Sequence, residues 1–459
     1  MTESRMNRSV LISACWCATW LCGAVTNGMA ADKLELAESA TETRSFKVTI
    51  QMDLDGQVQA AVGEAKAVAM KLTGRAQLSF HERRLSSLGR DAADLRGLRI
   101  YEQAEFHSQI ADRVSETKLR PDFRQIVAEG QTDGVRLYSN SGPLTYEELE
   151  LLRPPVDSLT ALALLPADRV EVGETWVAPL WALQFLTAVE AVEKGELKCK
   201  LESAENEVAK VSFAGQIKGG ILGVSSEIKV AGHFLFDLKQ HCLTRFELTQ
   251  NETRSVGAVT PGLKVTAKAI LERTPSDHSG LNELAAEAVP REPKPELLLL
   301  AMDARDWGVK LYHDRLWHLF HQGTTVAVLR LMDKGSLVAQ CNVSPIGPAP
   351  AGKHIGEQQF QEDVQKAIGT EFKKIEKAEI IPTQDKRFVF RVIASGAASQ
   401  KTSKGVNQVP VNWIYYLIAD ADGRQMVLVF TVENTLVERF QNRDINLALG
   451  IDFQPKAGK

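Results

Sequence analysis

Hydrophobic positions are most legible near the end of the chain. Residues 413–418, Trp-Ile-Tyr-Tyr-Leu-Ile, are continuously apolar, and residues 426–430 repeat such a run across a short polar gap. Strands that are apolar on both sides are covered on both sides, so the two runs predict two central strands. The gap, Asp420-Ala421-Asp422-Gly423, ends in Asp-Gly, whose tolerance of positive φ suits a hairpin turn. Carboxylates at alternate positions before a glycine also open a calcium loop, but Gln425 and Leu428 stand where further ligands are needed. Thr435-Leu436-Val437-Glu438 has the form of a capping box, and Leu436, Phe440 and Leu447 continue at helical spacing. The unit reads as a sheet with a covering helix.

Far upstream the period is two. Phe46, Val48, Ile50 and Met52 alternate with Ser45, Lys47, Thr49 and Gln51, which predicts a strand with one buried and one wet face. Similar strands are expected over residues 69–80, 98–106, 123–129 and 134–139, separated by turns such as Leu54-Asp55-Gly56 and Thr132-Asp133-Gly134. The pattern then breaks. Thr145-Tyr146-Glu147-Glu148 is a second capping box, opening a short helix that stops at Pro154-Pro155. Residues 158–165 make another helix, Gly173-Glu174-Thr175-Trp176 is extended, and Pro179 opens a third helix. Strands resume at Ala188 and continue in pairs to Arg273. A large antiparallel sheet with one apolar face must close into a barrel or be covered, and the helical insert is the available cover.

Residues 274–296 lose the alternation and gather Pro, Glu, Ser and Lys, as a linker does. The expected organisation is a β-rich domain over 44–273, this linker, and a second domain over 297–455. The second domain holds a hairpin about Asp333-Lys334-Gly335, a proline-bearing loop over 344–352, and an amphipathic helix on Phe360, Val364, Ala367 and Ile368 that stops at Gly369. The fold class is α+β: a curved, half-barrel-like antiparallel sheet with a short helical insert, then an α/β sandwich with an antiparallel sheet.

Two resemblances follow from this order. Strands, a helical insert and strands again, with the Gly173-Glu174-Thr175-Trp176 stretch, resemble the half-barrel of LolA-type lipoprotein carriers. That resemblance implies a cavity for a lipid or another hydrophobic ligand. The Trp413-Ile414-Tyr415-Tyr416 strand, the Asp422-Gly423 turn, the strand after it and the closing helix to Ile451-Asp452-Phe453 resemble the PsbP-like fold of photosystem extrinsic subunits and a Ran-binding import factor. That fold implies a binding or assembly module without catalysis.

At the other end, Arg5 and Arg8 precede an apolar stretch over 10–25, and Gly28-Met29-Ala30 offers small residues at a cleavage site. Residues 1–30 read as a secretory signal peptide, which places the mature chain in the periplasm, cell envelope or extracellular space without a transmembrane segment. Ile12-Ser13-Ala14-Cys15 has too little apolar sequence ahead of it for lipid anchoring to be expected. A formal charge of -4 over 459 residues, without long basic runs, argues against nucleic acid.

Cys15, Cys17 and Cys22 leave with the signal peptide; Cys199, Cys242 and Cys341 remain. Cys199 shares strand phase with Leu197 and Leu201, and Cys242 with Phe246 and Leu248, so a disulfide between Cys199 and Cys242 and a pair of buried thiols are both open. His313, His318 and His321 lie close together beside Asp314 and are candidate metal ligands, although in an extended strand His318 and His321 point to opposite faces. Glu147 and Glu148 read as capping and solvent-facing groups. No G-x-S-x-G elbow or H-E-x-x-H motif occurs, so no catalytic or cofactor-binding residue is singled out and no cofactor is expected.

The expected function is that of an exported, non-catalytic two-domain protein that binds or assembles with a protein or envelope component. The alternatives are a carrier or sensor of a lipid or other hydrophobic small molecule, and a hydrolase whose site is assembled from distant residues. Packing of the C-terminal sheet is directly testable: Trp413→Ala should cost about 3–5 kcal/mol in chemical denaturation, as large-to-small changes in packed cores do. Unchanged unfolding would mean that Trp413 lies at an exposed surface.

Overall fold

The computed structural model describes residues 33–39, 44–60, 68–85, 91–283, 289–290, 292–402 and 405–455. Residues 1–30, with Arg5, Arg8, Cys15, Cys17 and Cys22, lie outside them. Most of the described chain is antiparallel sheet, and the α+β description holds at that level.

The first sheet has twelve strands. They are β1 (Ser45–Ala60), β2 (Val68–Arg84), β3 (Arg96–Ile110), β4 (Arg113–Lys118), β5 (Gln125–Gln131), β6 (Gly134–Ser139), β7 (Thr175–Val177), β8 (Ala191–Glu205), β9 (Val208–Ile221), β10 (Val224–Asp237), β11 (Cys242–Arg254) and β12 (Gly262–Ser276). Two runs of hairpins meet in the middle, where β1 pairs with β12 from Ser45↔Ser276 to Gln59↔Gly262. The outer strands β6 and β7 stay unpaired with each other, so the sheet is open. The expected turn at Leu54-Asp55-Gly56 is instead the interior of β1. Gly56 has φ +154°, and a Cβ there would stand 2.3 Å from the Lys264 carbonyl oxygen, so its missing side chain admits the β12 backbone.

Three short helices fill the apolar face: α1 (Tyr146–Leu151), α2 (Ser158–Leu162) and α3 (Leu180–Thr187). Helix α3 touches β6 at one end of the sheet and β8 and β9 at the other. The interior is packed with Phe46, Phe80, Phe185, Phe213, Phe234 and Phe246, all buried, together with the leucines of α2 and α3. Phe213 and Phe246 stack at 5.0 Å between centroids.

Helices of five to eight residues do not hold themselves together. Charge pairing fastens α1 and α2, whereas α3 is held by its apolar side chains. Asp157 caps α2 by accepting from the Leu159 N–H, and both of its oxygens accept from Arg99 on β3 at 2.8 Å. Arg99 also donates Nε to Glu82 on β2 at 2.8 Å, and the Ser158 hydroxyl donates to the same Glu82 oxygen at 2.6 Å. Arg99, Glu82 and Ser158 are completely buried. Helix α1 is fixed similarly. The Thr145 capping box forms, and Glu148 accepts from Arg120 Nε at 2.6 Å and Nη2 at 2.7 Å. Glu148 is therefore a buried cap and not a solvent-facing group, because Arg120 closes over it. A third pin joins the N-terminal segment to β12, where Arg273 donates to both oxygens of Glu38 at 2.8 and 2.9 Å. Burial pushes the Glu38 carboxyl up, but the Arg273 guanidinium outweighs it and holds the group below its ordinary value.

Past β12 the chain does not simply extend. Helix α4 (Ser279–Glu283) carries the fully buried Leu281 into a small cluster with Leu85, Leu98, Val127, Tyr138 and Val289. The described residues 278–283 thus form a strap packed on the sheet.

A three-stranded sheet follows, of β13 (Leu300–Ala304), β14 (Val309–His313) and the final β22 (Ile451–Phe453). A seven-stranded sheet contains β15 (Trp317–Gln322), β16 (Ala327–Asp333), β17 (Ser336–Ile346), β18 (Phe372–Ile380), β19 (Phe388–Thr402), β20 (Gly405–Ala419) and β21 (Gln425–Glu433). Helix α5 (Glu357–Ile368) lays Phe360 and Val364 on one face and ends at Gly369, φ +65°. Helices α6 (Val437–Phe440) and α7 (Arg443–Leu449) pack within the cluster that also holds Trp317, Tyr416 and Phe430. Trp413 is buried.

The Asp420 turn closes the β20–β21 hairpin, and its carboxylate accepts from the Arg424 N–H and Nε at 2.8 and 2.6 Å, which leaves it committed to the turn. The expected Thr435 capping box does not form. The chain makes a 3-10 turn over Asn434–Leu436, and Gln441, φ +52°, separates α6 from α7. The break turns Asp444 inward, where Tyr416 donates to it at 2.8 Å and Arg391 pairs with it at 2.5 Å. An arginine–carboxylate pin of this kind therefore recurs in both sheets.

The first pin is open to a direct test. Arg99→Ala leaves Asp157 and Glu82 buried without a cation, so it should lower unfolding free energy by about 3–5 kcal/mol in urea denaturation. A loss under about 1 kcal/mol would mean that α2 is held by apolar packing alone.

Candidate functional site on the polar face

Side chains on the wet face of the first sheet line up across strands. The register places Lys268 of β12 opposite Asp53 of β1, Asp53 opposite Arg75 of β2, Arg75 opposite His107 of β3, and His107 opposite Glu116 of β4. Five strands therefore carry one row of alternating charge with an imidazole near its end. Arg75 Nε donates to Asp53 at 2.8 Å, and both side chains are about two-thirds exposed, at 67% and 69%. A groove of about 810 Å³ runs along this row, lined also by Asp55, Thr73, Gln109 and Thr266. Such a surface offers fixed donors and acceptors of both signs to an extended polar partner.

Nearer the strap, His81 links Ser276 to Glu102. Its Nδ1 lies 3.3 Å from the Ser276 hydroxyl and its Nε2 lies 3.0 Å from Glu102. A nucleophile, a base and an orienting carboxylate in this order are the elements of a hydrolytic relay. Their surroundings favour a tether. Glu102 also accepts from Lys47 at 2.7 Å and Ser79 at 3.0 Å, and the Lys47 bond, ahead of the others, holds its carboxyl down at about 2. The His278 ring lies over His81 with centroids 4.3 Å apart. The relay itself joins β12, β2 and β3 within the sheet, and the His278 ring packs over it from the strap.

Six carboxylates belong to buried residues among those described, and each holds an arginine: Glu82 and Asp157 hold Arg99, Glu129 holds Arg96 and Arg136, Glu148 holds Arg120, Glu252 holds Arg254 and Asp444 holds Arg391. None stands as a free carboxylic acid in an apolar pocket, the arrangement that makes a general acid.

The cysteine and histidine candidates fall elsewhere. Cys199, Cys242 and Cys341 are buried free thiols, so the bridge between Cys199 and Cys242 is not made. Strands β9 and β10 lie between theirs, about 14 Å of sheet, against the roughly 7 Å that a disulfide can span. Burial pushes the Cys199 thiol up to about 12 and the Cys242 thiol to about 11. His313 is buried on β14, with Nδ1 2.9 Å from the Asp314 carbonyl oxygen. A β-bulge at Phe320 sets His318 opposite Arg330 and His321 opposite Val328, so these two share a face, contrary to the simple alternation. The three histidines still do not converge: among the described residues the donor group compact enough for a metal ion is Glu105, His107 and Glu116. Sequence reasoning missed it because its members meet only through pairing of β3 with β4.

No family model and no curated protein matches the sequence. Among solved structures, lipovitellin is 8% identical over 52% of this chain and 26% of its own, with a TM-score of 0.28, so the chain spans about a quarter of that protein. The MucA/MucB complex of Pseudomonas aeruginosa is 10% identical over 90% and 94% of the two chains, with a TM-score of 0.14. The OccK11 structure from the same organism is 7% identical over 86% and 98%, with a TM-score of 0.12. Likenesses this distant assign neither fold nor function.

Burial, followed by the neighbouring His313, holds His318 down at about 4. A histidine depressed in the fold is neutral there but takes up a proton in the unfolded chain, whose value is near 6.5. Its contribution is complete above that value and is lost as pH falls towards 4. Unfolding free energy should decline through this window, and His318→Gln should flatten the decline; an identical slope in the variant would assign it to other groups.

Proposed function

We propose that the protein is an exported, non-catalytic two-domain binding or assembly protein that recognises a protein or envelope component along the Lys268–Asp53–Arg75–His107–Glu116 row. In this reading the first sheet is a half-barrel wrapped on its own helices, residues 274–296 join it to a PsbP-like sandwich, and the wet face is the recognition surface. The observation that carries it is the contrast between two sets of charges. Buried carboxylates are closed on arginines within the fold, whereas the groove keeps charged and polar side chains of both signs in water, pre-positioned by backbone pairing. The packed phenylalanine interior favours a polar macromolecular partner over an acyl chain, which would need that space.

A photo-crosslinking side chain at exposed Gln109 in the groove should give an envelope-protein adduct of defined mass that Arg75→Glu removes. The same probe at exposed Lys353 should not give it. Treatment with a fluorophosphonate should leave Ser276 unmodified. Equal adducts from both positions, or stoichiometric labelling of Ser276 that His81→Ala abolishes, would overturn the reading in favour of a hydrolase.

A further inference from the structure

The charged row ends in a set of metal-donor groups. One oxygen each of Glu105 and Glu116 and one ring nitrogen of His107 lie within 4.8 Å of one another. His107 Nε2 is 3.4 Å from Glu116 Oε1 and 4.0 Å from Glu105 Oε1. Metal–ligand bonds of about 2.1 Å at tetrahedral angles put neighbouring donors about 3.4 Å apart. The first spacing already has that value, and the second is reached by a small side-chain rotation. Backbone pairing supplies the preorganisation: His107 and Glu116 stand directly opposite in the β3–β4 hairpin, and Glu105 lies two residues before His107 on the same face.

Two contacts compete. Lys118 Nζ lies 2.8 Å from Glu116, and the Gln103 amide donates to Glu105 at 2.8 Å. Lys118 and Glu116 are both about half exposed, at 56% and 45%, and solvent-exposed ion pairs of this kind are weak. Direct coordination of a dication by two carboxylates and an imidazole readily displaces them.

We propose that Glu105, His107 and Glu116 bind one divalent first-row transition-metal ion, for which imidazole with carboxylates is a suitable donor set. Half of the His107 side chain is exposed, at 51%, which leaves the remaining coordination positions open to water or to a carboxylate or imidazole brought by a partner. Metal binding itself stands independently of the recognition role above.

Calorimetric titration of the full chain with zinc in a non-chelating buffer at neutral pH tests it. One ion per chain is expected, with affinity reduced at least about tenfold by His107→Ala and by Glu116→Gln. His318→Gln combined with His321→Gln should leave uptake unchanged. Because His107 and Glu116 are exposed, unchanged melting of the apo variants separates ligand loss from unfolding. Absence of stoichiometric uptake, or uptake that survives His107→Ala, would overturn the proposal. Loss of the Gln109 crosslink with zinc binding intact would count only against the recognition reading.

Discussion

Helices α1, α2 and α7 are fixed on their antiparallel sheets by arginine–carboxylate pairs. Taking a guanidinium and a carboxylate out of water costs several kcal/mol each, a cost offset only when geometry is bidentate and neighbouring lone pairs are used. The Arg99 cluster meets the first of these terms with two bonds to Asp157, and adds one to Glu82 with a serine hydroxyl on the same oxygen, while the other Glu82 oxygen has no partner. A five-residue helix has no stability of its own, so its place is decided by its cap and by the cation below it. The Arg391–Asp444–Tyr416 group does the same for α7, and Arg273 does it for the N-terminal segment. Breaking any one pair strands a charge in the interior, which makes the arrangement specific as well as stable.

This constraint sorts the ionisable residues by task. Those on the apolar face are consumed in fastening layers together. Those along the row on the wet face pair with one another in water, as Arg75 does with Asp53, and stay accessible from outside. The His81 relay belongs between the two groups, since its imidazole is buried whereas the Glu102 it meets is exposed.

Much of the scaffold was readable in the residues. Alternation at Phe46, Val48 and Ile50, the paired runs around Trp413 and Phe430, the Thr145 box and the Gly369 stop all report local preferences that the fold obeys. What escaped is non-local. Glu82, Arg99 and Asp157 are separated by 17 and 58 positions and look like ordinary charges until pairing brings them together. Leu281 gives no sign within a polar, proline-bearing stretch that it is the buried foot of a strap. The helix after Thr435 is interrupted at Gln441, and Asp444 beyond the break meets Arg391, a partner far upstream that local patterning does not show. The same blindness affected the metal candidates: neighbours along the chain, His313, His318 and His321, suggested a site, whereas the closer set comes from facing strands.

The dependence of the fold on buried charge pairing is tested most directly by a double-mutant cycle on Arg99 and Asp157, using Arg99→Met and Asp157→Leu. If the two are one pin, the double variant should lose much less than the sum of the single losses, with a coupling energy of at least about 2 kcal/mol. Additive losses would show that each side chain stabilises the fold separately, and the account of how the helical layers are held would be wrong.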